Sequence, residues 1–189
     1  MMALWAPALM AQTRGDASPS AQAYVWRNVA MGGGGFVDGI VFHPTAKNLS
    51  YARTDVGGAY RWDDEGQKWI PLTDWLSPAE GNFTGIESIA LDPSDPNRLY
   101  LAAGTYPNGP AAVLRSDDQG KTFQYAATPF RMGGNTEGRS NGERLAVDPN
   151  DGAILFFGSR RDGLWKSNDH GMTWTRIDTF TNNAPHGSP

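Results

Sequence analysis

A nine-residue motif occurs three times along this 189-residue chain, and it restricts the possible folds more than any other feature. Its copies lie at 61–69, 115–123 and 166–174, and their glycines are 54 and 51 residues apart. An apolar strand that ends in proline keeps step with the motif, at 40–44, 89–93 and 145–149. A repeat of about fifty residues with room for four short strands is typical of a β-propeller blade. We therefore predict an all-β fold, a β-propeller, with three four-stranded blades.

Within each repeat, the motif falls in the turn between the third and fourth strands. Its aspartate can accept hydrogen bonds from turn amides, and its glycine can supply the positive φ that a tight hairpin needs. The aromatic residue that follows, as in Trp174, is expected to begin the fourth strand and to pack into the blade core. The motif resembles the Asp box, although its first copy lacks the serine and the threonine. We assign its aspartates to the fold and not to catalysis.

The repeats also set the predicted boundaries along the chain. The segment Val25–Val29 matches the fourth-strand pattern of Thr173–Ile177 but has no earlier strands of its own blade. In closed propellers the first strand often completes the last blade, which hides an open edge. Three blades do not close a ring, so we expect the rest of the propeller to lie outside this chain. The predicted divisions are a leader at 1–23, an incomplete propeller at 24–180 (unpaired strand 24–30, blade one 37–72, blade two 86–126, blade three 143–177) and a tail at 181–189.

The N-terminal residues have features of an export signal. Met1 to Ala11 is an apolar run, and Ala21-Gln22-Ala23 has the small-x-small form of a cleavage site, although a basic n-region is missing. The alternative is a disordered tail. The export interpretation predicts an extracellular, secreted protein.

Composition and charge exclude several classes of partner. The net charge is −4 and no basic block occurs, which argues against nucleic acid and against an anionic membrane surface. The chain has no cysteine, and its three histidines do not have the spacing of metal ligands. We therefore expect no metal site.

One end of the predicted blades collects the unusual loops, those that follow the second and fourth strands. These loops combine glycines, flat aromatic rings and hydrogen-bonding side chains, a mixture that suits carbohydrate. The alternative is that these loops are polar and rich in aromatic residues without binding a ligand, and composition alone does not distinguish the two interpretations. The candidate substrate-binding residues in or beside the loops are Gly34, Gly35, Tyr60, Trp75, Phe83, Tyr106, Arg139 and Glu143.

From about Tyr24 to Phe180, the chain resembles glycoside hydrolase family 74, the xyloglucan-cleaving enzymes. The strings that carry the resemblance are Trp26 to Val29 with Gly32 to Gly35, Tyr51 to Trp62, and Gly142 to Pro149. The resemblance implies two seven-bladed propellers in tandem, a substrate cleft between them, and no cofactor. It implies inverting hydrolysis of the β-1,4-glucan backbone of xyloglucan by two aspartates. This chain would then be an N-terminal fragment of the first propeller.

In the matching string Ala52-Arg53-Thr54-Asp55-Val56-Gly57-Gly58, the first catalytic aspartate of the family falls on Asp55. The resemblance implies that Asp55 is the general base, and that the general acid belongs to the missing C-terminal propeller. The chain alone is therefore expected to be inactive. Judged without the string, Asp55 would be read as a turn aspartate before two glycines.

Two other functions remain open at this point. A non-catalytic Asp-box propeller could bind glycan or protein. A sialidase needs an arginine cluster and a Tyr/Glu pair, and Arg139, Arg160 and Arg161 do not form a recognisable version of that set.

Overall fold

The computed structural model describes residues 28–179, and within them the chain forms twelve β-strands and one 3-10 helix. The strands form three sheets of four, which we call blades one to three. Blade one contains β1 (Val37–Phe42), β2 (Ser50–Thr54), β3 (Ala59–Asp63) and β4 (Lys68–Pro71). Blade two contains β5 (Ile86–Leu91), β6 (Leu99–Ala103), β7 (Ala112–Ser116) and β8 (Gln124–Ala127). Blade three contains β9 (Leu145–Asp148), β10 (Asp151–Gly158), β11 (Leu164–Ser167) and β12 (Thr175–Arg176).

Each blade is an antiparallel meander in which every strand pairs with the next one along the chain. Strand β5 packs against both β2 and β9, so the blades stand side by side in chain order with blade two in the middle. The fourth strands β4 and β8 lie at the edges of their sheets and are mostly exposed. The 3-10 helix, Pro78–Thr84, lies in the connection between blades one and two.

Strand β6 shows why the middle blade is the most buried. Side chains alternate between the two faces of a strand, so an apolar run can fill two interfaces. Leu99 and Leu101 join a core cluster with Tyr51 of blade one. Tyr100 joins a second cluster with Phe157 of blade three.

The predicted turn motif forms as expected in blades two and three. The Ser116 hydroxyl accepts the Gly120 N–H at 2.7 Å, and Asp118 accepts the backbone N–H groups of Lys121 and Thr122. Gly120 has a φ of 84°, which agrees with its predicted role. The same arrangement recurs in blade three at Ser167, Asp169, Gly171 and Thr173.

Blade one closes its hairpin differently from blades two and three. Two predictions are wrong: the positive φ of the motif glycine in blade one, and the start of the fourth strand at the motif aromatic in blades two and three. Trp62 replaces the motif serine, and the β3–β4 ladder continues to the Asp63–Lys68 pair, with the Trp62 and Trp69 rings 5.4 Å apart. In this tighter turn the positive φ belongs to Gln67 and not to Gly66. Only in blade one does the fourth strand include the motif aromatic. In blade two β8 begins after Phe123, because the box holds that residue in a longer loop.

The predicted blade limits of 37–72, 86–126 and 143–177 compare with strands that run over 37–71, 86–127 and 145–176. Of the predicted unpaired strand at 24–30, residues 24–27 lie outside the described part, and residues 28–30 form no strand. The leader at 1–23 and the tail at 181–189 also lie outside the described residues. No helix in the described part is long and apolar enough to cross a membrane.

Candidate active site

The loops after the second and fourth strands meet at one end of the blades, which we call the loop face. Backbone hydrogen bonds join them: Gly58 N–H donates to Thr84, Gly104 N–H to Gly85, and Gly134 N–H to Gly104, at 2.7–2.8 Å. The loops of this face are 55–58, 72–85, 104–111, 128–144 and 159–163. They form a continuous surface across all three blades, as the repeat predicted.

Asp55 lies on the loop face, directly after strand β2. Its Oδ1 accepts the Phe36 backbone N–H at 2.7 Å, and its own N–H donates to the Phe36 carbonyl at 3.2 Å. Its Oδ2 lies 3.4 Å from Arg139 Nε, and the side chain keeps 11% of its surface exposed. The carboxylate is therefore held firmly but remains accessible from outside.

Glycines allow the segment before β1 to lie directly against the Asp55 loop. A Cβ on Gly57 would stand 1.8 Å from the Gly34 carbonyl oxygen, so no larger residue fits there without movement. Gly35 has a φ of +93°, and a Cβ on it would stand 2.9 Å from Asp55 Oδ1. A Cβ on Gly34 would meet nothing within 4 Å. Gly34 therefore borders open space, one residue before the glycine that contacts the carboxylate.

A second carboxylate, Asp38 on β1, shares the Arg139 side chain with Asp55. Arg139 Nε lies 3.5 Å from Asp38 Oδ1, and Arg53 Nη1 lies 3.8 Å from Asp38 Oδ2. The Asp38 side chain is fully buried. Burial raises the pKa of Asp38; the Arg53 charge opposes that shift, and the Asp55 charge adds to it.

Glu143 contributes to the framework that supports this cluster. Its Oε1 accepts from Arg53 Nε at 2.7 Å, and its Oε2 accepts from Ser88 Oγ at 2.8 Å and from the Ile89 N–H at 2.6 Å. Both carboxylate oxygens are thus engaged with the protein. Glu143 ties the loop 128–144 to the inner strands of blades one and two.

Two aromatic candidates point inward. Tyr60 is 3% exposed, and its hydroxyl donates to the Gly57 carbonyl at 2.8 Å. Phe83 is 6% exposed and meets the Tyr125 ring edge-on at 5.6 Å. Because apolar neighbours cover it, Phe83 does not present the open ring face that the sequence suggested.

The other two aromatic candidates are exposed but lie apart. Trp75 stacks on Phe123 at 6.0 Å, with its indole N–H donating to the Leu72 carbonyl. Tyr106 follows β6, and its hydroxyl accepts from Asn135 Nδ2 at 3.3 Å. Both rings retain a surface that a ligand can reach.

A cavity of about 560 Å³ opens on the loop face between blades two and three. Arg131 beside it pairs with Asp162, and Arg160 pairs with the buried Glu87. The lining residues are Pro107, Asn108, Arg131, Met132, Thr136, Glu137, Arg160 and Arg161. Asp55 is not among them, so this cavity is separate from the carboxylate site.

The arrangement at Asp55 suits proton transfer by a single carboxylate. A carboxylate that keeps part of its surface exposed, as Asp55 does, can accept a proton from water. The buried Asp38 lacks the exposure needed to reach a bulky substrate. Among residues 28–179, no group of three or more His, Asp or Glu side chains could hold a metal ion.

Asp55 and Arg139 are candidates from the sequence, whereas the structure adds Asp38 and Arg53 to the site. Arg53 is fully buried within a strand whose five residues are all buried, and a charge in such a strand is a signal that could have been used. Asp38 gave no such signal, because its partners come from distant parts of the chain.

No family model matches the chain. Curated proteins and solved structures that are similar to it are described as xyloglucanases or GH74 enzymes. A curated xyloglucanase from Paenibacillus is 52% identical over 173 residues, which cover 88% of this chain and 17% of that enzyme. The crystal structure of the GH74 xyloglucanase from Xanthomonas campestris is 57% identical, with a TM-score of 0.77 over 84% of this chain and 23% of that one. The GH74 enzyme from Niastella koreensis is 53% identical, with a TM-score of 0.75 over 82% of this chain and 23% of that one.

These relatives confirm the β-propeller prediction for the described blades. The chain spans about a fifth of the length of the relatives it matches, 17% for the Paenibacillus enzyme and 23% for the two solved structures. The similarity therefore extends over most of this chain and a small part of each relative.

Proposed function

Because this chain is homologous over more than four fifths of its length to glycoside hydrolases of family 74, we propose that the whole protein is a xyloglucan-cleaving hydrolase. The substrate is the β-1,4-glucan backbone of xyloglucan, a plant cell-wall polysaccharide, and the enzyme acts outside the cell. The chain supplies part of a propeller, which in the complete protein is a seven-bladed ring followed by a C-terminal propeller.

In this proposal Asp55 is the general base of an inverting reaction. The observation that carries it is the geometry of the carboxylate: Oδ1 is fixed by the Phe36 N–H, and the side chain remains 11% exposed. Inversion needs a base that removes a proton from water on the face of the sugar opposite the leaving group. A carboxylate that is oriented by the backbone and open on one side meets that requirement.

The general acid comes from outside this chain in the same proposal. Inverting glycosidases place their two carboxyl groups roughly 6.5–9.5 Å apart, so that the sugar and the attacking water fit between them. Asp38 is too deeply buried for that role, since its side chain has no exposed surface. A facing propeller can supply the acid across a cleft.

Seven of the eight candidate substrate-binding residues divide into two groups by what they contact, and the eighth, Arg139, lies against Asp55. Gly34, Gly35, Trp75 and Tyr106 are exposed on the loop face, and we propose them as contacts to the sugar chain. Tyr60, Phe83 and Glu143 have their side chains engaged within the protein, and they support the loops that make those contacts.

The test is hydrolysis of xyloglucan by the full-length protein, with Asp55→Asn and a control variant, Asp151→Asn. Asp151 begins strand β10 at the end of blade three away from the loop face, and its Oδ1 accepts the Ala153 N–H at 2.9 Å. We expect the wild type and the control to release α-configured reducing ends, as read by NMR immediately after cleavage. Asp55→Asn should lower kcat by a factor of about a hundred or more, because amide cannot act as the base.

Two outcomes would contradict the proposal. Unchanged hydrolysis by Asp55→Asn would remove this residue from catalysis. Binding of xyloglucan without hydrolysis by the wild type would favour the alternative, a non-catalytic propeller that binds glycan.

A further inference from the structure

Arg139 is placed beside the Asp55 carboxylate by contacts to Asp55 itself and to the Phe36 ring. Its Nε lies 3.4 Å from Asp55 Oδ2, on the side of the carboxylate that the Phe36 N–H does not occupy. Its Cζ lies 5.6 Å from the centroid of the Phe36 ring, within range of a cation–π contact. The guanidinium therefore approaches the same carboxylate that Phe36 fixes through its backbone.

The backbone of Arg139 is itself anchored to the inner strands. Its carbonyl accepts hydrogen bonds from Nη1 and Nη2 of the buried Arg53, both at 3.2 Å. Arg53 is in turn held by Glu143, so the position of the loop that carries Arg139 is set by residues of blade one. The backbone from which the Arg139 side chain extends is therefore fixed relative to blade one.

The position of Arg139 affects the electrostatic repulsion between Asp55 and Asp38. Asp38 faces it from β1, Arg139 from the loop 128–144, and Arg53 lies behind Asp38. Without Arg139, the two carboxylates would face each other with only Arg53 to offset their repulsion. Like charges held close together favour uptake of a proton, and a cation between them opposes it.

We propose that Arg139 is a positioning residue for Asp55: it offsets the repulsion between that carboxylate and the buried Asp38, and it keeps Asp55 turned toward the substrate side. This inference rests on the proposed function, because it assumes that Asp55 is the base. It also gives Arg139 a role different from direct contact with the sugar. A sugar contact would act mainly on KM, whereas a positioning role acts on kcat and on its pH dependence.

The test uses pH–rate profiles of the full-length protein with Arg139→Gln and Arg139→Lys. We expect Arg139→Gln to lower kcat and to move the acidic limb of the profile upward by roughly one pH unit, with KM changed less than about twofold. Arg139→Lys keeps the positive charge, so its acidic limb should lie close to that of the wild type. The matched control is Arg98→Gln, since Arg98 also lies between carboxylates, those of Asp92 and Asp117, but away from Asp55. Its acidic limb should coincide with that of the wild type.

A second measurement needs no activity. With ¹³C-labelled aspartate side chains, the Asp55 carboxyl resonance is identified by its loss in Asp55→Asn and is followed through a pH titration. Its midpoint should rise in Arg139→Gln and remain in place in Arg98→Gln. An unmoved midpoint in Arg139→Gln, or a KM effect without a shift of the acidic limb, would overturn the inference. A wild type that does not cleave xyloglucan would refute the proposed function, and the titration would still decide the role of Arg139.

Discussion

Arg53 is the residue on which the polar cluster beneath the loop face depends. A fully buried guanidinium is costly unless its donors are satisfied. Here Nε donates to Glu143, and the terminal nitrogens donate to backbone carbonyls, including that of Arg139. A buried strand residue therefore holds the loop 128–144 in place, and that loop brings Arg139 to Asp55.

Gly57 offers a residue-scale test of how closely the loops pack. A Cβ there would stand 1.8 Å from the Gly34 carbonyl oxygen, and both groups belong to the backbone, so the segments must separate. We expect Gly57→Ala to destabilise the protein by about 1–3 kcal/mol. The measurement is chemical unfolding of the full-length protein.

Gly34→Ala is the matched control, because it adds a methyl group to the other side of the same contact. That methyl group would meet nothing within 4 Å, so stability should change by no more than about 0.5 kcal/mol. An equal loss in the free energy of unfolding for the two variants would contradict the close contact between Gly57 and the Gly34 carbonyl.

The hairpins are the elements that the sequence predicted best. The motif identifies the turns of blades two and three because a serine, an aspartate and a glycine satisfy one another within a few residues. In blade one, Trp62 occupies the serine position, and the strands instead continue their pairing to Asp63–Lys68. A local motif predicts local hydrogen bonds. Where the motif serine is missing, as in blade one, the pairing of the two flanking strands determines the conformation of the turn.

The Asp118 turn gives an element-scale prediction with a pH dependence. Burial would raise its pKa, but hydrogen bonds from the Thr122 hydroxyl and N–H, and from Ser116, outweigh this and lower the pKa from 3.8 to about 2. An acid with a lowered folded-state pKa contributes stability above its unfolded pKa and loses that contribution as the pH falls toward the folded value. The stability advantage of wild type over Asp118→Asn should therefore be complete above pH 3.8 and shrink toward pH 2.

Urea unfolding of the full-length protein at a series of pH values measures this difference. The control is Asp64→Asn in blade one, where the carboxylate accepts from the Asn48 and Trp62 side chains and the turn lacks the box geometry. That variant should cost less stability than Asp118→Asn at neutral pH. A stability difference for Asp118→Asn that does not vary with pH would contradict the assignment of its hydrogen bonds.

At the scale of the whole molecule, the repeat predicted the blades, but the site depended on contacts that no local pattern contains. Asp55 was found through a string of residues that resembles a known family. Its surroundings join residues far apart in the chain: Ser140 donates to Asp38 across 102 positions, and Arg53 reaches the Arg139 carbonyl across 86. Such pairings follow from how the blades stack, which the sequence of one repeat does not encode.

The stacking also leaves one side of blade one open in the described part of the chain. Phe42 is 72% exposed and Ile40 is 50% exposed on strand β1, while Val41 between them packs into the core with blade two. Side chains alternate between the two faces of a strand, so apolar residues on both faces indicate that each face packs against another blade. It is consistent with a propeller of more blades than the three described.

The proposed role of Asp55 as the base of an inverting glycosidase is tested by rescue of Asp55→Ala with azide. Azide takes the place of the activated water and needs no base, so it attacks the sugar from the side opposite the leaving group. In the full-length protein we expect Asp55→Ala to be nearly inactive on xyloglucan in plain buffer and to form an α-configured glycosyl azide when azide is added. Undiminished hydrolysis without azide, or a β-configured azide product, would contradict the account.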